Sequence, residues 1–248
     1  MIILKSPREI ERMKAPGRIV AEVLQLLREH VRPGVTTMQL NNLAERQAAK
    51  FKAIPAFKGY SGYPFSLCCS VNEQVVHGMP SDRTLLEGDI VSIDFGVIFD
   101  GFYGDGAVTL AVGSVSDNAA RLIRVTEESL YKAIAKATPE NRLSDISHAV
   151  QEHAELNGFS VVRDFVGHGI GRSLHESPQV PNFGRPNQGI KLKPGMVLAI
   201  EPMINEHGAS VMVLEDGWTA TTTDGGLSAH FEHTVAITKN GPEILTVL

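Results

Sequence analysis

Residues 87–96 read EGDIVSIDFG and residues 193–202 read KPGMVLAIEP, and the likeness of these two stretches decides the fold. In both, a glycine (Gly88, Gly195) precedes four strand-like residues, then an isoleucine (Ile93, Ile200) and at once an acid (Asp94, Glu201). Acids are depleted in strands, so an acid at the same place in two strand-like runs marks an internal duplication. Each copy is followed by a second acid that opens another apolar run, Asp105 in DGAVTL (105–110) and Glu232 in EHTVAI (232–237). The interval between the paired acids is longer in the second copy, and the segment from Asn205 to Ala229 absorbs the difference. The expected core is therefore two strand pairs related by a pseudo-twofold axis, each donating two carboxylates.

Side chains alternate along a strand, which puts Asp94 on one face with Ser92 and Gly96 and turns Val91, Ile93, Phe95 and Val97 to the other. Glu201 likewise shares its face with Ala199 and Val197, Asp105 with Ala107 and Thr109, and Glu232 with Thr234 and Ala236. The acid face is lined mostly by small residues and the opposite face is bulky, so helices are expected to cover the bulky side. Around this centre, Ser6-Pro7-Arg8-Glu9 reads as a capping box opening a helix that runs to about His30. Pro16 lies inside that run and predicts a kink or a break. Further helices are expected from Thr37, over 117–137 and over 144–157, and strands over 66–76, 89–98, 105–112, 159–166, 195–205, 210–215 and 230–238. No low-complexity linker divides the chain, so one domain over 1–248 is expected, of α+β class, with an antiparallel β-sheet and helices on its outer face.

The 248 residues carry 23 Lys+Arg against 28 Asp+Glu, a formal net charge of −5 that offers no basic field to a nucleic acid. No run approaches the ~18 uncharged apolar residues of a membrane span, and the start MIILKSPREI holds no signal-peptide core. Cys68 and Cys69 are adjacent and a poor pair for bridging distant parts of a fold. A cytoplasmic protein with neither nucleic acid nor membrane as partner is expected.

Four carboxylates brought together repel one another, at ~4 kcal/mol for a pair ~4 Å apart and an effective dielectric of ~20, unless they take up protons or a cation. Two divalent cations balance four negative charges. A lone His168, in FVGHGIG (165–171), reads as a core or loop histidine; beside four acids it reads as a nitrogen ligand. Four oxygen-type ligands, one nitrogen and no thiolate suit Mn, Fe, Co or Zn in a catalytic site. Gly167, Gly169 and Gly171 lack the spacing of a dinucleotide loop. His77 and His175 both stand in H-x-x-P, upstream of Asp94 and Glu201, and the matching contexts place them at the rim of the site.

The words SLCCSVNEQVVHGMPSD, GDIVSIDFG, GFYGDGAVTLAVG, GHGIGRSLHESPQVPNFG, LKPGMVLAIEPM and HFEHTVAIT, in this order, resemble a type I methionine aminopeptidase of the pita-bread fold. The resemblance runs from Glu9 to the end. It implies that Asp94, Asp105, His168, Glu201 and Glu232 hold two divalent metal ions, with Asp105 and Glu232 bridging. It also implies that His77 and His175 contact the substrate and stabilise the tetrahedral intermediate, that Glu201 shuttles a proton, and that Tyr60, Tyr63, Cys68 and Trp218 line a methionine pocket. Leu174 stands where many relatives carry an aromatic residue. The implied activity is removal of the N-terminal methionine of nascent polypeptides with a small second residue, by a cytoplasmic monomer with the ribosome as a candidate partner. Two alternatives remain at this point, a proline-specific exopeptidase of the prolidase or aminopeptidase P kind and a metal-free binding module on the same scaffold.

Overall fold

The computed structural model describes residues 2–248. Its helices are α1 (Pro7–His30), α2 (Thr37–Lys50), α3 (Asp117–Ala135) and α4 (Leu143–Leu156). The first strands are β1 (Ile54–Pro55), β2 (Cys68–Val71), β3 (Gln74–Val76), β4 (Ile90–Phe99) and β5 (Phe102–Ala111). They are followed by β6 (Ser160–Val161), β7 (Gly167–Gly169), β8 (Glu176–Val180), β9 (Val197–Ile200) and β10 (Met203–Asn205). The last are β11 (Val211–Val213), β12 (Ala220–Thr222), β13 (Ser228–His230), β14 (Glu232–Thr238) and β15 (Gly241–Ile244).

Nine strands form one antiparallel sheet in the order β1-β4-β5-β14-β9-β7-β8, with β2 added on β4 and β15 on β14; two three-stranded sheets, β13-β10-β6 and β11-β12-β3, complete the fold. The duplicated pairs lie about the centre of the large sheet, β5 beside β14, with β4 outside one and β9 outside the other. This is the pseudo-twofold arrangement and the α+β class that the repeat predicts. The helices divide between the halves. Ile19, Val23 and Leu27 of α1 and Leu40 and Ala44 of α2 bury Val91, Ile93 and Phe95 of β4. In the other half, Leu122, Val125 and Leu130 of α3 and Ile146 and Val150 of α4 bury Leu198, Ile200, Val235 and Ile237. At about 1.5–3 kcal/mol for each fully buried large apolar side chain, these two clusters hold the bulky face of the sheet against its helices.

The capping box at Ser6 is formed: Glu9 N–H donates to Ser6 Oγ at 3.3 Å and Ser6 N–H to Glu9 Oε2 at 2.9 Å. The expectation of a break at Pro16 is corrected, because α1 runs through Pro16 as one helix. Tertiary contact outweighs the lost backbone hydrogen bond there: Gly104 of β5 lies so close that a Cβ on it would come within 2.7 Å of the Pro16 carbonyl carbon. The expected strand over 66–76 is two strands in different sheets, β2 on β4 of the large sheet and β3 on β12, with the turn between them at Asn72, whose φ of 57° lies in the left-handed region. The expected runs over 195–205 and 230–238 each change sheet midway. The chain leaves the large sheet after Ile200 and joins the β13-β10-β6 sheet at Met203, then returns between His230 and Glu232. Pro202, which has no N–H to give a ladder, stands at the first of these corners. Both corners put an acid at the junction, Glu201 and Glu232. The short strand β8 falls in a Gly- and Pro-rich stretch that reads as a connection.

Candidate metal centre and its cavity

Asp94 stands on β4 opposite Cys68 of β2 and Ala107 of β5, and Asp105 on β5 opposite Gly96 of β4. Gly96 supplies room that no other residue would: a Cβ there would meet Asp105 Oδ1 at 3.1 Å and the Phe57 ring at 2.9 Å. The seam between β5 and β14 has only two paired positions, Glu232 with Ala107 and His233 with Gly106. Threonines extend it on both sides. Thr234 Oγ1 accepts from Asp105 N–H at 3.1 Å and donates to the Asp105 carbonyl at 2.8 Å. Thr109 Oγ1 accepts from His230 N–H and donates to the His230 carbonyl, both at 2.8 Å. These clasps fix the backbone on which Asp105 and Glu232 are carried. His168 on β7 pairs with Ala199 of β9, which brings its ring next to Glu201, with Nε2 3.6 Å from Oε1.

Donor atoms of Asp105, His168 and Glu232 all lie within 4.8 Å of one another. Asp94 and Glu201 join them in lining a single cavity of about 310 Å³. Burial pushes every acid of the group up, Asp105 and Glu201 to about 8, and Asp94 and Glu232 well above the ordinary carboxylate range. The neighbouring charges push the same way for Asp94, Asp105 and Glu232. Burial also holds His168 down, to about 4, so the imidazole is neutral and its lone pair free to bind a cation.

Two observations test whether a metal suits these residues. Asp94 Oδ1 and Glu232 Oε1 are buried with no hydrogen-bond partner, an arrangement that costs several kcal/mol per polar group unless something satisfies it. No lysine or arginine stands among the cavity's described lining residues. A buried set of four acids and one neutral imidazole, with orphaned oxygens and no protein cation, fits divalent metal ions and has no other evident counter-charge.

The remaining predicted residues line the same cavity: Tyr60, Tyr63, Cys68, His77, Leu174, His175 and Trp218. His77 has a left-handed φ of 59° and a ring set edge-on to Phe165, with centroids 5.4 Å apart. Burial lowers it to about 4. Strain at a non-glycine residue that faces a cavity is characteristic of functional positions. The Tyr60 hydroxyl and His175 Nδ1 are hydrogen-bonded at 2.7 Å, and the His175 ring stands 4.3 Å from that of His168. Tyr63 meets Trp218 edge to face at 5.1 Å and donates to the carbonyls of Leu67 and Gly78 at 3.1 Å. The cavity is thus lined by the acids, by two imidazoles that burial pushes toward the neutral form, and by a wall of apolar and aromatic side chains. Sequence reading misses Phe57, Phe165 and Met203 in that wall. It also misses His230, buried 3.5 Å from Glu201 Oε2. The apolar three stand in segments without repeat or motif, and only the word HFEHTVAIT hints at His230.

Residues 11–239 match the metallopeptidase family M24. The chain is 58% identical over 248 residues to a methionine aminopeptidase of Clostridium perfringens, covering 100% of both. It is 54% identical over 246 residues to methionine aminopeptidase 1 of Bacillus subtilis, covering 99% of each. Among solved structures, the methionine aminopeptidase of Thermotoga maritima superposes with a TM-score of 0.98 at 51% identity over 100% of both chains. A prolidase of Pyrococcus horikoshii superposes with a TM-score of 0.79 at 24% identity, over 99% of this chain and 64% of that one, and shares the fold alone.

Proposed function

The chain belongs to the metallopeptidase family M24, and on that premise we propose that it is a methionine aminopeptidase, a single catalytic domain over 1–248 that removes the N-terminal methionine of nascent polypeptides when the second residue is small. The observation that carries the reading is the cavity itself, where an apolar, aromatic-walled space ends on the buried acids. Asp94, Asp105, His168, Glu201 and Glu232 would hold two divalent ions, with Mn, Fe, Co and Zn all suited to the donor set. Ions held there supply positive charge that acidifies a water and polarises a carbonyl.

The chain's own groups do the rest. Tyr60, Tyr63, Cys68, Leu174 and Trp218 receive the first side chain, and a thioether gains ~0.3–1.5 kcal/mol from each aromatic contact. Glu201, ionised once a cation stands beside it, would take a proton from the attacking water and deliver it to the leaving amine. His77 and His175, both pushed toward the neutral form by burial, present N–H groups to the carbonyl oxygen as its charge develops. The Tyr60 hydroxyl on His175 Nδ1 supports this: a phenol that donates to Nδ1 leaves the proton on Nε2.

The proline-specific alternative has less support, since the prolidase likeness is one of fold alone, and a metal-free binding module has no use for five buried donors. The described helices include none long and apolar enough to cross a membrane; action on nascent chains in the cytoplasm, with the ribosome as the place of encounter, belongs to the same proposal and rests on the likeness to methionine aminopeptidases. A peptide panel at saturating metal tests the reading. Release of Met from Met-Ala-Ser, with Met-Phe-Ser and Ala-Pro peptides left intact, is expected; preference for the Ala-Pro peptide would reverse it.

A further inference from the structure

His230 is a buried polar group that the proposed chemistry leaves unused. It ends β13, is 1% exposed, and its Nε2 has no hydrogen-bond partner. That nitrogen faces Glu201 Oε2 at 3.5 Å, the outer edge of hydrogen bonding, while Glu201 Oε1 faces His168 Nε2 at 3.6 Å. The Glu201 carboxylate therefore stands between two imidazoles, one inside the proposed ligand set and one outside it. The His230 backbone cannot drift from this position, because Thr109 clasps both its N–H and its carbonyl, and Thr109 is itself hydrogen-bonded to Ser92 Oγ at 2.8 Å. Once Glu201 is ionised beside a cation, the group complementary to Oε2 is an N–H, since a bare nitrogen lone pair would repel it in a site with little water.

We propose that His230 is a positioning residue for Glu201: its Nε2–H donates to Oε2 and leaves Oε1 directed at the proposed metal centre. Glu201 then has one oxygen for the ion and one held by the protein, and its carboxylate cannot rotate between the two roles. Partners of this kind set a ligand's orientation and basicity. The assignment rests on the metal reading of the site.

The test uses two variants of the whole chain, His230→Leu, which removes the donor, and His230→Gln, whose amide keeps an N–H at similar reach. Calorimetric titration of the metal-free proteins with Mn(II) is expected to show affinity about 10–100-fold weaker in the Leu variant and close to wild type in the Gln variant. On Met-Ala-Ser, kcat should follow the same order with KM little changed. Wild-type affinity in His230→Leu, or no rescue by His230→Gln, would overturn the proposal. Nitrogen-15 NMR of histidine-labelled, zinc-loaded protein, with the His230 signals identified by their loss in the Gln variant, should show the proton on Nε2; a proton on Nδ1 overturns the proposal even if the Leu variant fails to fold. A wild-type chain that binds no Mn(II) sinks the metal reading instead, and the tautomer, read then in the metal-free protein at a pH where Glu201 is ionised, still decides the His230 contact.

Discussion

Chelating the metal should make the fold sensitive to alkali, and the size of the effect follows from the buried acids. Asp105 and Glu201, held at about 8 in the folded chain, return to about 3.9 and 4.3 when it unfolds. Between those limits the folded state holds protons that the unfolded state has released, so stability falls as pH rises, by about 1.4 kcal/mol per pH unit for each proton held. The buried histidines act in the opposite sense lower down. His77 and His168, lowered to about 4, and His230, to about 3, favour the unfolded state's protonation chiefly below about pH 6.5. From pH 7 to 8 each of these histidines, and His233 likewise, still opposes by only about a tenth of a proton, so the acids dominate. Each of the two keeps on average roughly three-quarters of a proton over that unit, which gives a loss of about 2 kcal/mol, or a Tm lower by about 4–8 °C for a chain of this size. Asp94 and Glu232 add to it in the same direction. Thermal melts of chelated protein at pH 7 and pH 8, beside protein saturated with Mn(II), provide the assay. A metal-free Tm that stays level or rises over this unit would refute the argument, as would an equal slope in the metal-loaded form.

Three further outcomes are expected. His77→Ala and His175→Ala should keep full metal content by elemental analysis and lose about 10²-fold or more in kcat; loss of metal from His175→Ala would make it a ligand. Leu174→Phe should narrow the wall of the cavity and change kcat/KM ratios among Met, norleucine and other unbranched first residues within the ~1–3 kcal/mol that one methylene commands, and an unchanged profile would place Leu174 outside the pocket. Gly104→Ala should destabilise the chain by about 1–3 kcal/mol in urea unfolding, because its Cβ would press on the backbone at Pro16; a neutral result would show that α1 shifts freely over β5.

The acids are the legible part of the chain because an acid inside an apolar strand is costly without a purpose, and the same cost recurs at Asp94 and Glu201 and again at Asp105 and Glu232. Alternation then gives the face on which each stands, and the buried Val91, Ile93 and Phe95 beneath α1 and α2 agree with it. What alternation cannot carry is a change of sheet. The corners at Pro202 and Phe231 look like continuations of one strand, yet they bring Glu201 and His230 together. Pro16 misleads for a similar reason, since local propensity predicts a break and the contact with Gly104 keeps the helix whole. The imidazole and pocket residues become legible through the family resemblance, where the words around His77, His168 and His175 stand in order. The hydrogen bond from Tyr60 to His175 spans 115 positions, and no local pattern announces it.

The account turns on whether methionine release depends on metal at the buried acids. The direct measurement is chromatographic detection of free Met from Met-Ala-Ser with the chelated chain, then after stepwise return of Mn(II), in the wild type and in Asp105→Ala. The account predicts no release from the chelated protein, recovery as ions are returned, and almost none from Asp105→Ala at any metal concentration. Steady release under chelation, or a wild-type rate in Asp105→Ala, would contradict it.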